Sequence, residues 1–68
     1  MKTFKITGDF IQLNQLIKAA GWVSNGAEAN NAIDSGLVKV NNNVEHRKRN
    51  KLIIGNTVEF NNQKITIE

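Results

Sequence analysis

The chain has 68 residues, 40% hydrophobic and 22% charged, enough for one small core and too few for a second. With no cysteine and a single histidine, it cannot build a disulfide, a Cys-based zinc site, a reactive thiolate or a two-His metal site. Nine basic residues against six acidic ones leave a formal charge of +3, and no apolar run is long enough for a membrane span or a signal-peptide core, so the expectation is a soluble, cytoplasmic, monomeric single domain over residues 1–68.

Phe4 and Ile6 alternate with Thr3, Lys5 and Thr7, the period-two pattern of a half-buried strand, and Gly8 breaks it. Asp9 followed by Gln12 resembles a capping box and predicts a helix that opens near residue 10. Leu13, Leu16, Ile17 and Ala20 give that helix one apolar stripe, and Gly21 stands where a left-handed cap would end it. Trp22, in the short connection that follows, is expected to cover the helical corner. A second helix is predicted after Ser24 or Asn25, with Glu28 placed to complete the cap. Ala29, Ala32 and Ile33 form its buried face, and Gly36 stops it.

From Leu37 the periodicity changes to two. Leu37-Val38-Lys39-Val40 reads as a strand, and Asn41-Asn42-Asn43 as a turn into Val44-Glu45. Residues 46–51 place no apolar side chain at alternate positions, so they predict a solvent-facing loop or edge. Leu52-Ile53-Ile54 reads as a return to the core, and Gly55-Asn56 as a turn. Thr57–Phe60, Asn61-Asn62 and Gln63–Ile67 then read as a hairpin with Val58, Phe60, Ile65 and Ile67 on its inner face. A strand, two packed helices and a small, mainly antiparallel sheet make an α+β domain.

The positive charge is concentrated. Arg47, Lys48, Arg49 and Lys51 fall within five positions, and the rest of the chain holds five basic and six acidic residues, a balance of −1. A patch of that kind is the electrostatic footprint of a phosphate or nucleic-acid contact. The plainer reading is a loop kept cationic for solubility. Asparagine is abundant, with eleven residues, and most of them fall where turns are expected.

Little else carries chemistry. Gly21-Trp22-Val23-Ser24-Asn25-Gly26 has the glycine interval of a phosphate loop, but Ala27 and Glu28 stand where Lys and Ser or Thr are required. His46 lies beside the cationic run, without the apolar pocket a general base needs, and the six carboxylates are scattered singly. No enzyme, metal site or cofactor is therefore expected.

Leu13, Leu16, Gly21, Glu28-Ala29, Ile33, Gly36, Val38, Val40-Asn41, Gly55 and Val58 together, and above all the stretch from Ala32 to Asn41, resemble the RNA-binding domain first seen in small-subunit ribosomal protein S-four, the αL motif. The resemblance spans roughly residues 10 to 60. Arg47-Lys48-Arg49 ahead of an apolar strand further resembles the small stand-alone bacterial members of YbcJ or YaaA type. The resemblance implies two helices on a small sheet and binding of structured RNA, ribosomal or transfer RNA, in association with the ribosome. Where the family commonly carries Ser or Thr followed by Arg at the start of the second helix, this chain has Asn25 and Gly26, and a further basic position is here Asn30. The cationic helix face is thus largely missing, and the 47–51 segment becomes the main expected contact. Arg47, Lys48, Arg49 and Lys51 are the expected phosphate ligands, supported by His46, Lys39 and Lys18. Asn25, at a helix N-terminus, could add an uncharged contact, which Glu28 would weaken. The competing function is a protein-interaction adaptor whose same basic loop docks an acidic partner.

Overall fold

The computed structural model describes residues 2–68. Two asparagine pairs set the register of its sheet. Asn41 and Asn42 (φ 51° and 71°) and Asn61 and Asn62 (φ 53° and 65°) all occupy the left-handed region, as the two central residues of a tight hairpin turn must. The first pair joins β3 (Val38–Val40) to β4 (Asn43–Val44), and the second joins β6 (Thr57–Phe60) to β7 (Gln63–Ile67). Asn41 also ties the two hairpins together: its N–H donates to Thr57 O at 2.8 Å and its Oδ1 accepts from Thr57 N at 2.9 Å. The turn chemistry read from these asparagines is the chemistry found.

Strand β1 (Lys2–Phe4) runs parallel to β7, and all other pairings are antiparallel, giving the order β1-β7-β6-β3-β4. A separate two-stranded ribbon pairs β2 (Ile11–Gln12) with β5 (Lys51–Leu52). The two helices, α1 (Leu13–Ala19) and α2 (Gly26–Asp34), pack against each other. Leu13, Leu16 and Ile17 of α1, Ala29, Ala32 and Ile33 of α2, and Val38, Val58, Ile65, Ile67 and Leu52 form one buried core. The predicted helix faces and the inner face of the hairpin are thus in place, with Phe60 half-buried at the rim. Trp22 is also half-buried, its ring centroid 5.9 Å from that of Phe60.

Both helices end in the same way. Gly21 (φ 78°) and Gly36 (φ 77°) take the left-handed position. The next residue's N–H reaches back to the third carbonyl from the end, Trp22 to Ile17 at 3.1 Å and Leu37 to Ala32 at 3.1 Å, while the glycine N–H bonds Lys18 O and Ile33 O. At the start of α2, Asn25 Oδ1 accepts from Glu28 N at 2.9 Å, as its cap pattern predicts, and Glu28 Oε1 accepts from Ser24 N at 2.9 Å.

Three expectations are corrected. Helix α1 opens at Leu13, not near residue 10, and its cap residue Gln12 makes no side-chain cap bond; Ile11 and Gln12 are taken by the ribbon. The strand over 37–40 begins at Val38, because Leu37 completes the cap of α2 and lies exposed. Of Leu52-Ile53-Ile54, Leu52 alone enters the core: Ile53 N donates to Asn56 Oδ1 at 2.8 Å, which turns the chain at once and leaves Ile53 and Ile54 at the surface.

Candidate functional site

The basic segment is a loop with an ordered main chain. Glu45 N donates to Val38 O at 3.0 Å at its start, Asn50 N closes a turn onto Arg47 O at 3.1 Å, and Lys51 is paired across the ribbon with Gln12. Its carbonyls then supply what the start of α1 lacks. Leu13 N donates to Asn50 O and Asn14 N to Lys48 O, both at 2.9 Å. A helix leaves its first N–H groups without internal partners. Here the loop's main chain fills that need in place of a side-chain cap, which is why Asp9 and Gln12 form no capping box.

With the backbone held, the side chains divide. Arg47, Arg49 and Lys51, with Asn50, line one shallow groove. Lys48 turns away, and its Nζ lies 4.0 Å from Asp34 Oδ2 at the end of α2. The turn closed by Asn50 and Arg47 thus presents residues 47, 49, 50 and 51 to one groove and Lys48 to the end of α2.

Arg47 is held by a carboxylate. Its Nε donates to Glu45 Oε2 at 3.0 Å and its Nη2 to Glu45 Oε1 at 3.1 Å, and Glu45 Oε2 also accepts from Arg47 N at 2.9 Å. The hydrogen-bonded guanidinium holds the Glu45 carboxyl below its ordinary value of 4.5, and the carboxylate raises Arg47 in turn. The pair is unequal in exposure: 76% of the Arg47 side chain is open to solvent against 15% for Glu45, so the arginine keeps most of its surface for another anion.

The supporting residues are spread more widely. A Cβ at Gly36 would lie 3.4 Å from His46 Cε1, so the imidazole sits against the end of α2, on the loop's side of the molecule. Lys39 projects from β3, opposite Val44 and Glu59. Lys18 is in the last turn of α1, at the end away from the docked loop. Asn25 is at the start of α2, whereas Lys48 and His46 adjoin its end. Asn25 Oδ1 is committed to Glu28 N and the Glu28 carboxylate covers Ser24 N, so this helix start already holds an anion of its own. The geometry gathers Arg47, Arg49 and Lys51, keeps Lys48 and His46 close, and leaves Lys39, Lys18 and Asn25 outside the groove.

Two neighbours of the groove escaped sequence reasoning. Glu45 had no signal beyond its closeness to Arg47. Phe10, 43% exposed, lies under Lys51, whose Nζ is 4.8 Å from the ring centroid. Read as the first turn of a helix, Phe10 carries no such meaning; in a ribbon where Gln12 faces Lys51, residue 10 is a diagonal neighbour of the lysine.

The chain as a whole is similar to known proteins. The S4 domain family model matches residues 4–68. YbcJ of Escherichia coli (strain K12) is 42% identical over 57 residues, covering 84% of this chain and 81% of the relative, and YbcJ of Shigella flexneri matches to the same extent. The solution structure of Escherichia coli YbcJ superposes with a TM-score of 0.74 at 40% identity, over 98% of this chain and 86% of that one, and it reveals an αL motif involved in RNA binding.

Proposed function

The chain belongs to the S4 domain family, and on that premise we propose that it is a non-enzymatic RNA-binding module whose basic loop grips the phosphate backbone of structured RNA. Ribosomal or transfer RNA is the proposed ligand, bound in the cytoplasm in the setting of the ribosome. The observation that carries the reading is the groove: Arg47, Arg49 and Lys51 converge on it from a loop whose main chain is already fixed on α1. Guanidinium forks and an ammonium suit phosphate oxygens, and binding gains from the release of counterions. A pre-ordered loop adds to this, because little backbone entropy is lost on docking. Lys48 and His46 extend the surface toward α2. RNA helices are recognised chiefly by shape and backbone, so sequence preference through these residues is small.

The test is a titration of a ribosomal RNA fragment, a transfer RNA and duplex DNA over a range of salt. Engagement of three or four phosphates gives a log–log salt slope of about −2 to −4. Neutralising Arg47, Arg49 and Lys51 to Gln together flattens that slope by ~2–3 units. An adaptor for an acidic protein would show no saturable RNA binding at physiological salt, and that result would end the RNA reading. Binding that survived the triple substitution with its slope intact would move the site away from the loop.

A further inference from the structure

Beside the basic groove runs a second one, lined by Phe4, Ile6, Phe10 and Ile11 with Lys5 and Gln15 at its edge. Thr7 and Gly8 complete its lining, so the four apolar side chains share it with polar groups. One contact links a residue of each. Phe10 lines the apolar groove and Lys51 the basic one, and the lysine ammonium sits 4.8 Å from the centre of the phenyl ring. The ribbon brings the two together: Gln12 pairs with Lys51, and Phe10 immediately precedes β2, within diagonal reach of the lysine. An aromatic ring left 43% exposed at the boundary of a cationic groove is positioned as a platform for a planar group whose charged tail lies in that groove.

Resting on the RNA reading above, we infer that Phe10 stacks against one unpaired nucleobase, held in the groove of Phe4, Ile6 and Ile11, while the flanking phosphates lie on Arg47, Arg49 and Lys51. The ligand class is thereby narrowed to structured RNA with a bulged or looped-out nucleotide beside a helix. Every base has a π-face, so the platform demands an unpaired base without specifying which one, and single-strand recognition by stacking works in this way. Lys51 serves both halves, bonding phosphate on one side and polarising the ring on the other.

The experiment compares two RNA hairpins of equal length, one fully paired and one with a single bulged uridine, bound to the parent, Phe10→Ala, Phe10→Leu and Phe10→Trp proteins. The parent prefers the bulged hairpin. Phe10→Ala and Phe10→Leu each weaken the bulged complex by about 5- to 10-fold, the lower part of the range for loss of one stacked base, and leave the paired complex nearly unchanged. Phe10→Trp restores the preference. The leucine variant keeps apolar volume, so its loss cannot be ascribed to unfolding, and thermal melts of all four proteins check the fold. Photocrosslinking of 4-thiouridine at the bulge, followed by peptide mapping, places the base on the peptide containing Phe10. Equal weakening of both hairpins, no preference in the parent, or a crosslink elsewhere would overturn the platform while leaving backbone binding through the loop in place. Absence of binding to either hairpin by the parent would overturn both.

Discussion

Replacing Glu45 with Gln is expected to strengthen RNA binding, and the size of the effect can be worked out. In the free protein the Glu45 carboxylate occupies the fork of Arg47 at 3.0 and 3.1 Å, the position a phosphate would take. Gln retains an oxygen that can accept from Arg47 N, so the loop's turn survives, but the competing charge is gone. Arg47 already contributes part of its charge in the parent, so freeing it steepens the log–log salt slope by at most ~0.7–0.9. Carried from about 1 M salt, where the counterion term vanishes, to about 0.15 M, that slope amounts to at most a ~4- to 6-fold tighter complex. Folding should hardly respond, because Arg47 is mostly exposed and exposed ion pairs contribute little. Fluorescence anisotropy with a labelled RNA hairpin at four salt concentrations measures both affinity and slope, with a thermal melt as control. A variant that melts like the parent and binds with the same affinity and slope would refute the idea that Glu45 and phosphate compete for Arg47.

Acid should act through the same pair. The Glu45 carboxyl titrates below its ordinary 4.5 in the folded state, so its contribution to stability is complete above that pH and is lost as the pH falls through the depressed folded value. The difference in melting temperature between parent and Glu45→Gln, small at neutral pH because the pair is exposed, should therefore vanish in melts taken well below pH 4.5. Leu16→Ala and Ile33→Ala each empty a fully buried position and should cost ~2–5 kcal/mol in urea denaturation, enough to unfold much of so small a domain. Gly21→Ala and Gly36→Ala both force a side chain into the left-handed region, at ~1–2 kcal/mol. The two should melt alike, since the new Cβ at Gly36 stands at ordinary van der Waals distance from His46 (3.4 Å) and Val44 (3.6 Å) and that at Gly21 meets nothing within 4 Å; a clearly lower melt for the Gly36 variant would show that its surroundings cannot take a methyl group.

Much of this architecture is legible in the residues themselves. Helical stripes announce themselves through Leu13, Leu16 and Ile17 and through Ala29, Ala32 and Ile33, and the Gly21 and Gly36 caps follow from local backbone chemistry. The hairpin at Asn61-Asn62 is equally local. What sequence reading misplaces is non-local. The start of α1 is set by carbonyls of Lys48 and Asn50, more than thirty positions along the chain, and no window around residues 9–12 contains that information. Ile53 and Ile54 look like core because they are apolar, yet the Asn56 side chain ends the strand first. The site shows the same division. Arg47, Arg49 and Lys51 stand out by charge density, and a turn of the loop brings them to a common groove. Phe10 is brought to them by ribbon pairing alone.

The bonds from Leu13 and Asn14 to the loop carbonyls bear on how such a sequence can vary. Because main-chain atoms hold the helix start, the loop's shape is indifferent to which side chains it carries. Arginine, lysine, glutamine or serine at 47, 49 or 51 would leave the helix equally well begun, and the groove's charge can be rewritten by substitution at almost no cost to the fold. Length has no such freedom. Removing or adding one residue between Arg47 and Asn50 shifts both carbonyls out of line and strands two amides at the head of a helix whose first residue is in the core. As far as the fold is concerned, relatives of this chain are free to differ in the charges of this loop, and function alone holds those, whereas its number of residues is held by the fold itself.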